Sequence, residues 1–433
     1  MVIWHRVGGL LVIGYLCLGR SFAYLGVPSL RIFVGEIALV AFLVLKPRVA
    51  IGSWTASLLR PSPLNGLALA MLVFMMFGVW QVLRGALNGV SLFVVLKYFV
   101  FNYYTIYLFL GIWIGSRAPL LLPKLTVILA WMNGIYGLFY IVGLESVAIM
   151  VPGSDIKLFG QPGGAAIAIL GLVCLERYLG RVWIPLSLNI IVIMAMQVRA
   201  EWLGLAVGML AWGLITRRLG KVFAVGFAGL MILGLVELAD VKIPGRAGHV
   251  SLGTIIGRVI APIDKEFAKT FSPKAEEAAG TFEWRQKWWE QIWRSAQSTP
   301  MLQMFGHGYG FDLFSLAPPD VRGGQAEVIR TPHNVFYYAL GYTGWTGVVL
   351  FGLLQLTIFL ALWQSFRVAG QFVGILWWLA GMSMSFFGNY FETPFGAIPF
   401  YLLVGLSIAP GLQLRGELHA RAARAQLLPI SGR

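Results

Sequence analysis

Charge is scarce in this chain, and so are the residues that furnish most soluble active sites. Asp, Glu, Lys and Arg make up 12% of the 433 residues, roughly half of what a soluble domain carries. That deficit excludes a water-soluble globular enzyme. There are two cysteines, Cys17 and Cys174, both inside apolar runs. They suggest neither a disulfide framework nor a metal site. The sequence has no P-loop, no GxGxxG step in a βαβ context and no HExxH motif. No Asp-rich pair suggests a metal-bound nucleotide sugar. The first apolar run lacks a small-residue cleavage site and reads as a first span.

What the chain has instead is apolar surface. Hydrophobic residues reach 58% and the mean hydropathy is +0.78. The runs are continuous rather than alternating, which excludes a barrel. The fold class is an all-α polytopic membrane protein. With ~20 apolar residues per crossing as the guide, about twelve spans are expected. Their cores lie at 4–19, 30–45, 64–82, 98–115, 121–141, 163–176, 182–197, 200–216, 221–237, 333–363, 369–388 and 394–412. The organisation follows: a bundle of about nine spans over 1–237, a long polar segment over 238–332, about three spans over 333–412, and a tail over 413–433. The 333–363 run exceeds one straight crossing. A short surface helix from Pro332, a break near the glycines and then the span proper are expected.

The net charge of +15 does not point to nucleic acid, because it is spread among the loops between spans. With a cytoplasmic N-terminus, about sixteen basic residues fall in inside segments and about six in short outer loops. Both termini are therefore expected in the cytoplasm, with 238–332 on the opposite face. The Arg/Ala-rich tail after Gln413 is expected to fray.

The polar segment holds a helical pattern, Phe282-Glu-Trp-Arg-Gln-Lys-Trp-Trp-Glu-Gln-Ile-Trp-Arg294. Thr281 suits its N-cap and Glu283 its positive end. Trp284, Trp288 and Ile292 recur every four residues, with Trp289 and Trp293 beside them. Such a face either packs on the bundle or lies in the bilayer interface. A tight loop follows at Gly306-His-Gly-Tyr-Gly310. His307 within it reads as structural.

The segment ends in Arg330-Thr-Pro-His-Asn-Val-Phe-Tyr-Tyr-Ala-Leu-Gly-Tyr-Thr-Gly-Trp-Thr-Gly347. Pro332 suits a first helical turn, which puts His333 and Asn334 at the mouth of a membrane helix. Gly341, Gly344 and Gly347 leave one face bare for a close neighbour, a helix or a lipid. A titratable imidazole at that depth is either a loop-bonded helix start or a functional group. Arg199, in Gln-Val-Arg-Ala-Glu-Trp, either grips an anion with its paired donors or pairs with Glu201 at the interface. Arg285 has the same two readings. Arg330 and Lys157 are further anion ligands or solvated loop cations. Glu36 is expected to pair with a neighbour. Glu392, in Gly-Asn-Tyr-Phe-Glu-Thr-Pro, is a candidate for holding His333 or an acceptor hydroxyl.

These residues resemble the bacterial O-antigen ligase/polymerase superfamily over roughly 155–390. The pattern His-Asn, nine residues, Gly-x-x-Gly is met by His333, Asn334, Gly344 and Gly347. Arg199 before the long segment and Arg285 in its aromatic helix fit, as does the run through Pro300 to Gly310. Two steps depart from the pattern: Val198-Arg199 replaces a Ser-Arg or Asn-Arg step, and Gln161-Pro162-Gly163 replaces a Pro-Asn step.

The resemblance implies a metal-independent glycosyltransferase of GT-C type in the bacterial inner membrane, without cofactor, its site facing the periplasm. The donor is a glycan on undecaprenyl diphosphate. The acceptor is lipid A–core in a ligase, or another lipid-linked glycan in an O-antigen or exopolysaccharide polymerase. Arg199, Arg285 and His333 take the catalytic roles. Lys157, Asn334, Arg330, Glu392, Trp284 and Trp288 are expected to bind substrate, the aromatic helix and glycine face making lipid and sugar grooves. A transporter of lipid-linked sugars is the reading from another class, as is a scaffold without chemistry. The transporter reading calls for inverted repeats and midplane charges, and neither is evident.

Overall fold

The computed structural model describes residues 2–27, 32–50, 58, 64–179, 182–239, 243–246, 248–272, 275–319 and 331–427. The first part of the chain holds α1 (Val2–Leu18), strands β1 (Gly26–Val27) and β2 (Ile32–Phe33), α2 (Val34–Leu45), α3 (Asn65–Leu87), α4 (Leu92–Tyr103), α5 (Ile106–Gly115), α6 (Leu121–Val142), α7 (Ala165–Leu179), α8 (Trp183–Met196), α9 (Arg199–Ile215) and α10 (Leu219–Leu238). The polar segment forms a hairpin, β3 (Ile243–Gly245) and β4 (Gly248–Val250), then α11 (Leu252–Ile260), α12 (Lys265–Lys269), α13 (Ala275–Ala296) and α14 (Pro300–Phe305). The chain closes with α15 (Val335–Ala369), α16 (Val373–Ser385) and α17 (Pro394–Leu427).

Each of the twelve expected cores overlaps a helix, or the bent pair α4–α5, which turns by 42°, although residues 30–31 of the second core lie outside the described residues. Among the described residues, four helices are long and apolar enough to cross a membrane: α3, α6, α15 and the Pro394–Arg415 part of α17. The bent pair makes a fifth. Most of the others are shorter apolar helices. The chain is a polytopic all-α membrane protein.

In lipid, helices associate by close packing rather than by expelling water. The crossing of α5 with α17 shows how the sequence permits it. A Cβ on Gly111 would lie 2.5 Å from the Leu402 carbonyl oxygen, and one on Gly405 would lie 2.2 Å from that of Leu108. Only hydrogen fits at either position. Polar residues pin other pairs: Asn189 Nδ2 donates to Ala130 O at 2.7 Å, joining α8 to α6. Trp377 Nε1 donates to Ile167 O at 2.8 Å, joining α16 to α7. Glu36 does pair, but with phenols rather than a cation. Tyr103 and Tyr104 donate to its Oε1, and the Phe33 N–H donates to its Oε2.

Three local expectations need correction. The aromatic helix starts at Ala275, so Thr281 lies inside it and is not its cap. Helix α15 begins at Val335 rather than Pro332. The Asn334 side chain accepts from the N–H groups of Phe336 (2.9 Å) and Tyr337 (3.4 Å), and this cap leaves Pro332 and His333 outside the helix. The tail does not fray at Gln413, because helix continues to Leu427 through residues of high helical propensity. The break near the glycines is present: Gly344 has φ 64°, ψ −168°, between two helical stretches of α15.

That break carries the link between membrane and polar segment. A kink frees carbonyls that lipid cannot satisfy. Here the Gly306–Gly310 loop satisfies them: His307 N donates to Gly341 O and Gly308 N to Tyr342 O, both at 2.9 Å. Gly306 shares the dihedrals of Gly344, and each has the other's backbone neighbours about 2.5 Å from where a Cβ would stand. Gln81 Nε2 and Arg84 Nη1 then donate to Phe305 O at 2.9 and 2.8 Å. The glycine face is thus covered by the protein itself, with Leu313 and Ile292 over Gly341 and Met304 over Gly344. It is not open to lipid.

Candidate functional site

Three distant parts of the chain meet above α15. Arg199 is the first residue of α9. It follows a turn in which Gln197 is left-handed (φ 54°) and Val198 extended. The polar segment fixes that turn, with Arg246 N donating to Ala195 O at 3.0 Å and Arg258 Nη1 to Gln197 O at 3.1 Å. Arg285 projects from α13. Its Nη1 donates to Phe387 O at 3.2 Å, and its guanidinium carbon lies 5.5 Å from the centre of the Trp284 ring. His333 sits just before α15 with φ 54°, a conformation uncommon for a residue with a side chain. Its ring meets Trp284 edge-on at 6.3 Å.

Helix α13 docks by its aromatic face. Trp289 Nε1 donates to Pro332 O at 2.7 Å and the indole stacks on Tyr337 at 5.2 Å. These contacts hold the Pro332–His333 step. Of the two readings of that face, packing on the bundle is the one observed.

Charge reports the same proximity. Burial, and then the charge of Arg199, draws the Arg285 guanidinium down to about 10. Burial, and then Arg285, draws His333 down to about 3. The site is an imidazole kept neutral beside the Arg285 guanidinium, which is itself repelled by that of Arg199, an arrangement that favours an anion between the two guanidiniums.

Two buried carboxylates lie on elements that also carry or contact the cluster. Glu392, buried in the turn between α16 and α17, is pushed up to about 7 by burial. Its Oε2 accepts from Tyr390 N at 3.2 Å, and its Oε1 has no hydrogen-bond partner among the described residues. No described hydrogen bond joins it to His333. Glu201 is also buried, with Oε2 unpartnered among the described residues. Its Oε1 lies 3.7 Å from where a Cβ on Gly163 would be, so the Gln161–Gly164 turn leaves it room. Burial, and then Glu201, raises the Tyr390 phenol, which puts Tyr390 beside that carboxylate.

The remaining expected residues divide. Trp284 is in the cluster. Trp288 is 0% exposed and donates to Leu313 O at 2.8 Å, so it braces α13 and offers no surface. The Asn334 side-chain oxygen is engaged as a cap. Lys157 is exposed in a separate turn, donating to Glu145 O at 2.7 Å, and no described contact brings it to the cluster. Arg330 lies outside the described residues. His307 is structural as expected, 2.9 Å from Ser295 Oγ and stacked on Phe311. Arg258 and the Phe387 carbonyl were not anticipated. The apolar periodicity of Ser-Leu-Gly-Thr-Ile-Ile-Gly-Arg-Val-Ile could have exposed the first, but no sequence signal marks the second.

Fold and site together define a class: an all-helical polytopic membrane protein with an anion-ready centre of two arginines and a neutral histidine beside its longest polar segment. Residues 184–352 match the family model Wzy_C, described as O-antigen ligase. The resemblance to the O-antigen ligase/polymerase superfamily is borne out by that match. It takes in Arg199, Arg285 and His333, while Lys157 and Glu392 lie outside it. It supports a membrane enzyme of the O-antigen ligase/polymerase type. No curated protein matches the chain.

Proposed function

We propose that the protein transfers a glycan from undecaprenyl diphosphate to an acceptor hydroxyl at the periplasmic face of the bacterial inner membrane, acting as an O-antigen ligase with lipid A–core as acceptor. The convergence of Arg199, Arg285 and His333, with the family match spanning all three, carries this reading.

The chemistry follows from the charges. The bond from the sugar's anomeric carbon to the diphosphate oxygen breaks, and the electron pair stays on the diphosphate. Guanidiniums already in place stabilise that growing charge more than they stabilise the bound donor. In this reading they take the part that a divalent metal plays in nucleotide-sugar enzymes. The acceptor oxygen bonds to the same carbon and loses its proton. His333, neutral beside the arginines, can take that proton or donate a hydrogen bond to the diphosphate. An incoming diphosphate offsets the arginine charge and makes the imidazole more basic. Glu392, in the turn whose Phe387 carbonyl accepts from Arg285, is a buried carboxylate whose ionisation falls near neutral pH.

A reconstituted assay with lipid-linked glycan, with and without lipid A–core, tests the proposal. One new product that requires core supports a ligase. A ladder formed without core replaces it with a polymerase. Movement of lipid across vesicles without a new glycosidic bond overturns both.

A further inference from the structure

Helices α11 and α12 form an elbow with two unlike sides. Its inner side is small and buried, with Gly257, Ala261 and Ala268 packed closely. Arg258 turns the same way, toward the Gln197 carbonyl beside Arg199. The outer side presents Val259, Ile263, Phe267 and Phe271, four residues apart each time and all exposed, Ile263 to 87%. The rings of Phe267 and Phe271 pack edge to face with centroids 5.1 Å apart at the end of this ridge. A water-facing elbow would not place its largest apolar side chains outward at that spacing.

The ridge continues another apolar surface. Helix α10 exposes Phe223, Phe227, Leu230, Met231 and Leu235, the surface of a helix lying in lipid. It ends at Leu238, 86% exposed. Its Glu237 carboxylate accepts from Leu252 N (2.9 Å) and Gly253 N (3.3 Å), the first N–H groups of α11. The elbow therefore starts where the lipid-facing helix stops and is bonded to its end. Lys265 and Lys269 lie between the apolar positions and contact Glu283 and Glu266. Long cationic stems of this kind suit the headgroup level.

We infer that residues 252–271 lie in the outer leaflet of the bilayer, with the Val259–Phe271 ridge among the acyl chains and the opposite edge against the arginine centre. One short element then touches both the solvent of a lipid tail and the residues proposed to grip its diphosphate. The part concerning the donor rests on the proposed function; the contact with the bilayer does not.

Photolabelling of the intact chain in nanodiscs, with a phospholipid carrying a diazirine in its acyl chain, tests the contact. Adducts are expected on the 259–271 peptide as well as on 219–238. Adducts on 219–238 alone overturn the inference. A disulfide that forms between the Ile263→Cys variants of two copies overturns it in favour of a dimer face. An Ile263→Glu, Phe267→Glu double variant tests the consequence in the transfer assay. It should raise KM for a long-chain donor at least tenfold, leaving kcat and the use of a short-chain, water-soluble donor unchanged. Equal loss with both donors, or no loss with either, overturns a role in presenting the lipid. Wild-type protein that makes no product refutes the proposed function and leaves the photolabelling result to stand alone.

Discussion

At the residue scale the site depends on permanent charge held out of water. Arg199→Ala and Arg285→Ala should each lower kcat by about 100- to 1,000-fold, the size of effect seen when a preplaced donor to a developing anion is lost. Size-exclusion behaviour should stay unchanged. Arg285→Lys should not restore the rate, since an ammonium cannot bond Phe387 O and a diphosphate oxygen in one plane. A lysine variant at wild-type rate would exclude a bidentate role. The pH dependence separates the bases. With its pKa near 3, His333 is neutral in the free enzyme across the usual range and contributes no acid limb. Glu392, raised to about 7, is protonated below that pH and ionised above it. If the ionised form is required, kcat/KM should fall as pH drops through 7, and Glu392→Gln should lower the plateau and abolish that limb. An unchanged limb in this variant would show that Glu392 is not the titrating group.

At the element scale the decisive contacts are backbone to backbone. Gly344→Ala sets a side chain at φ 64° against the Met304 carbonyl group, 2.5 Å away. Strain of about 1–3 kcal/mol is expected from the backbone alone, before the clash, so a thermal scan should show a melting point several degrees lower. Trp289→Phe keeps the stack on Tyr337 but deletes the bond to Pro332 O. About 1 kcal/mol of stability should go, with a larger loss in kcat if that bond sets the His333 conformation. Much at this scale was legible in the sequence. Apolar length located the helices of the two apolar parts, the aromatic repeat located α13, and three glycines in a long run announced the break in α15; α11, α12 and α14 carried no such signal. The partners were hidden, because they come from tertiary docking. Nothing local says that Trp288 turns inward while Trp284 meets the imidazole, or that Asn334 spends its oxygen on a cap. Nor does it say that Glu36 finds phenols sixty-odd residues away. Arg199, Arg285 and His333 could be named because rare charges beside membrane helices need a reason; Lys157 met the same criterion and lies elsewhere.

At the scale of the whole molecule, the distribution of basic loops should govern orientation. An alkaline phosphatase fusion within 238–332 should be active and one following Leu427 inactive, with a fluorescent protein showing the opposite pattern. The reverse result would place the arginine centre in the cytoplasm and remove the proposed substrates from reach. The join between Gly306 and Gly344 also constrains the order of assembly. Ribosomes deliver the loop first, so Phe305 and His307 wait for a helix not yet made. Until α15 has inserted and bent, the aromatic arm has no anchor on it, and the arginine it bears has no imidazole to face. Catalytic competence would then be the last property the nascent chain acquires, and a chain ending before residue 344 should reach the membrane yet remain open to protease throughout its exposed arm.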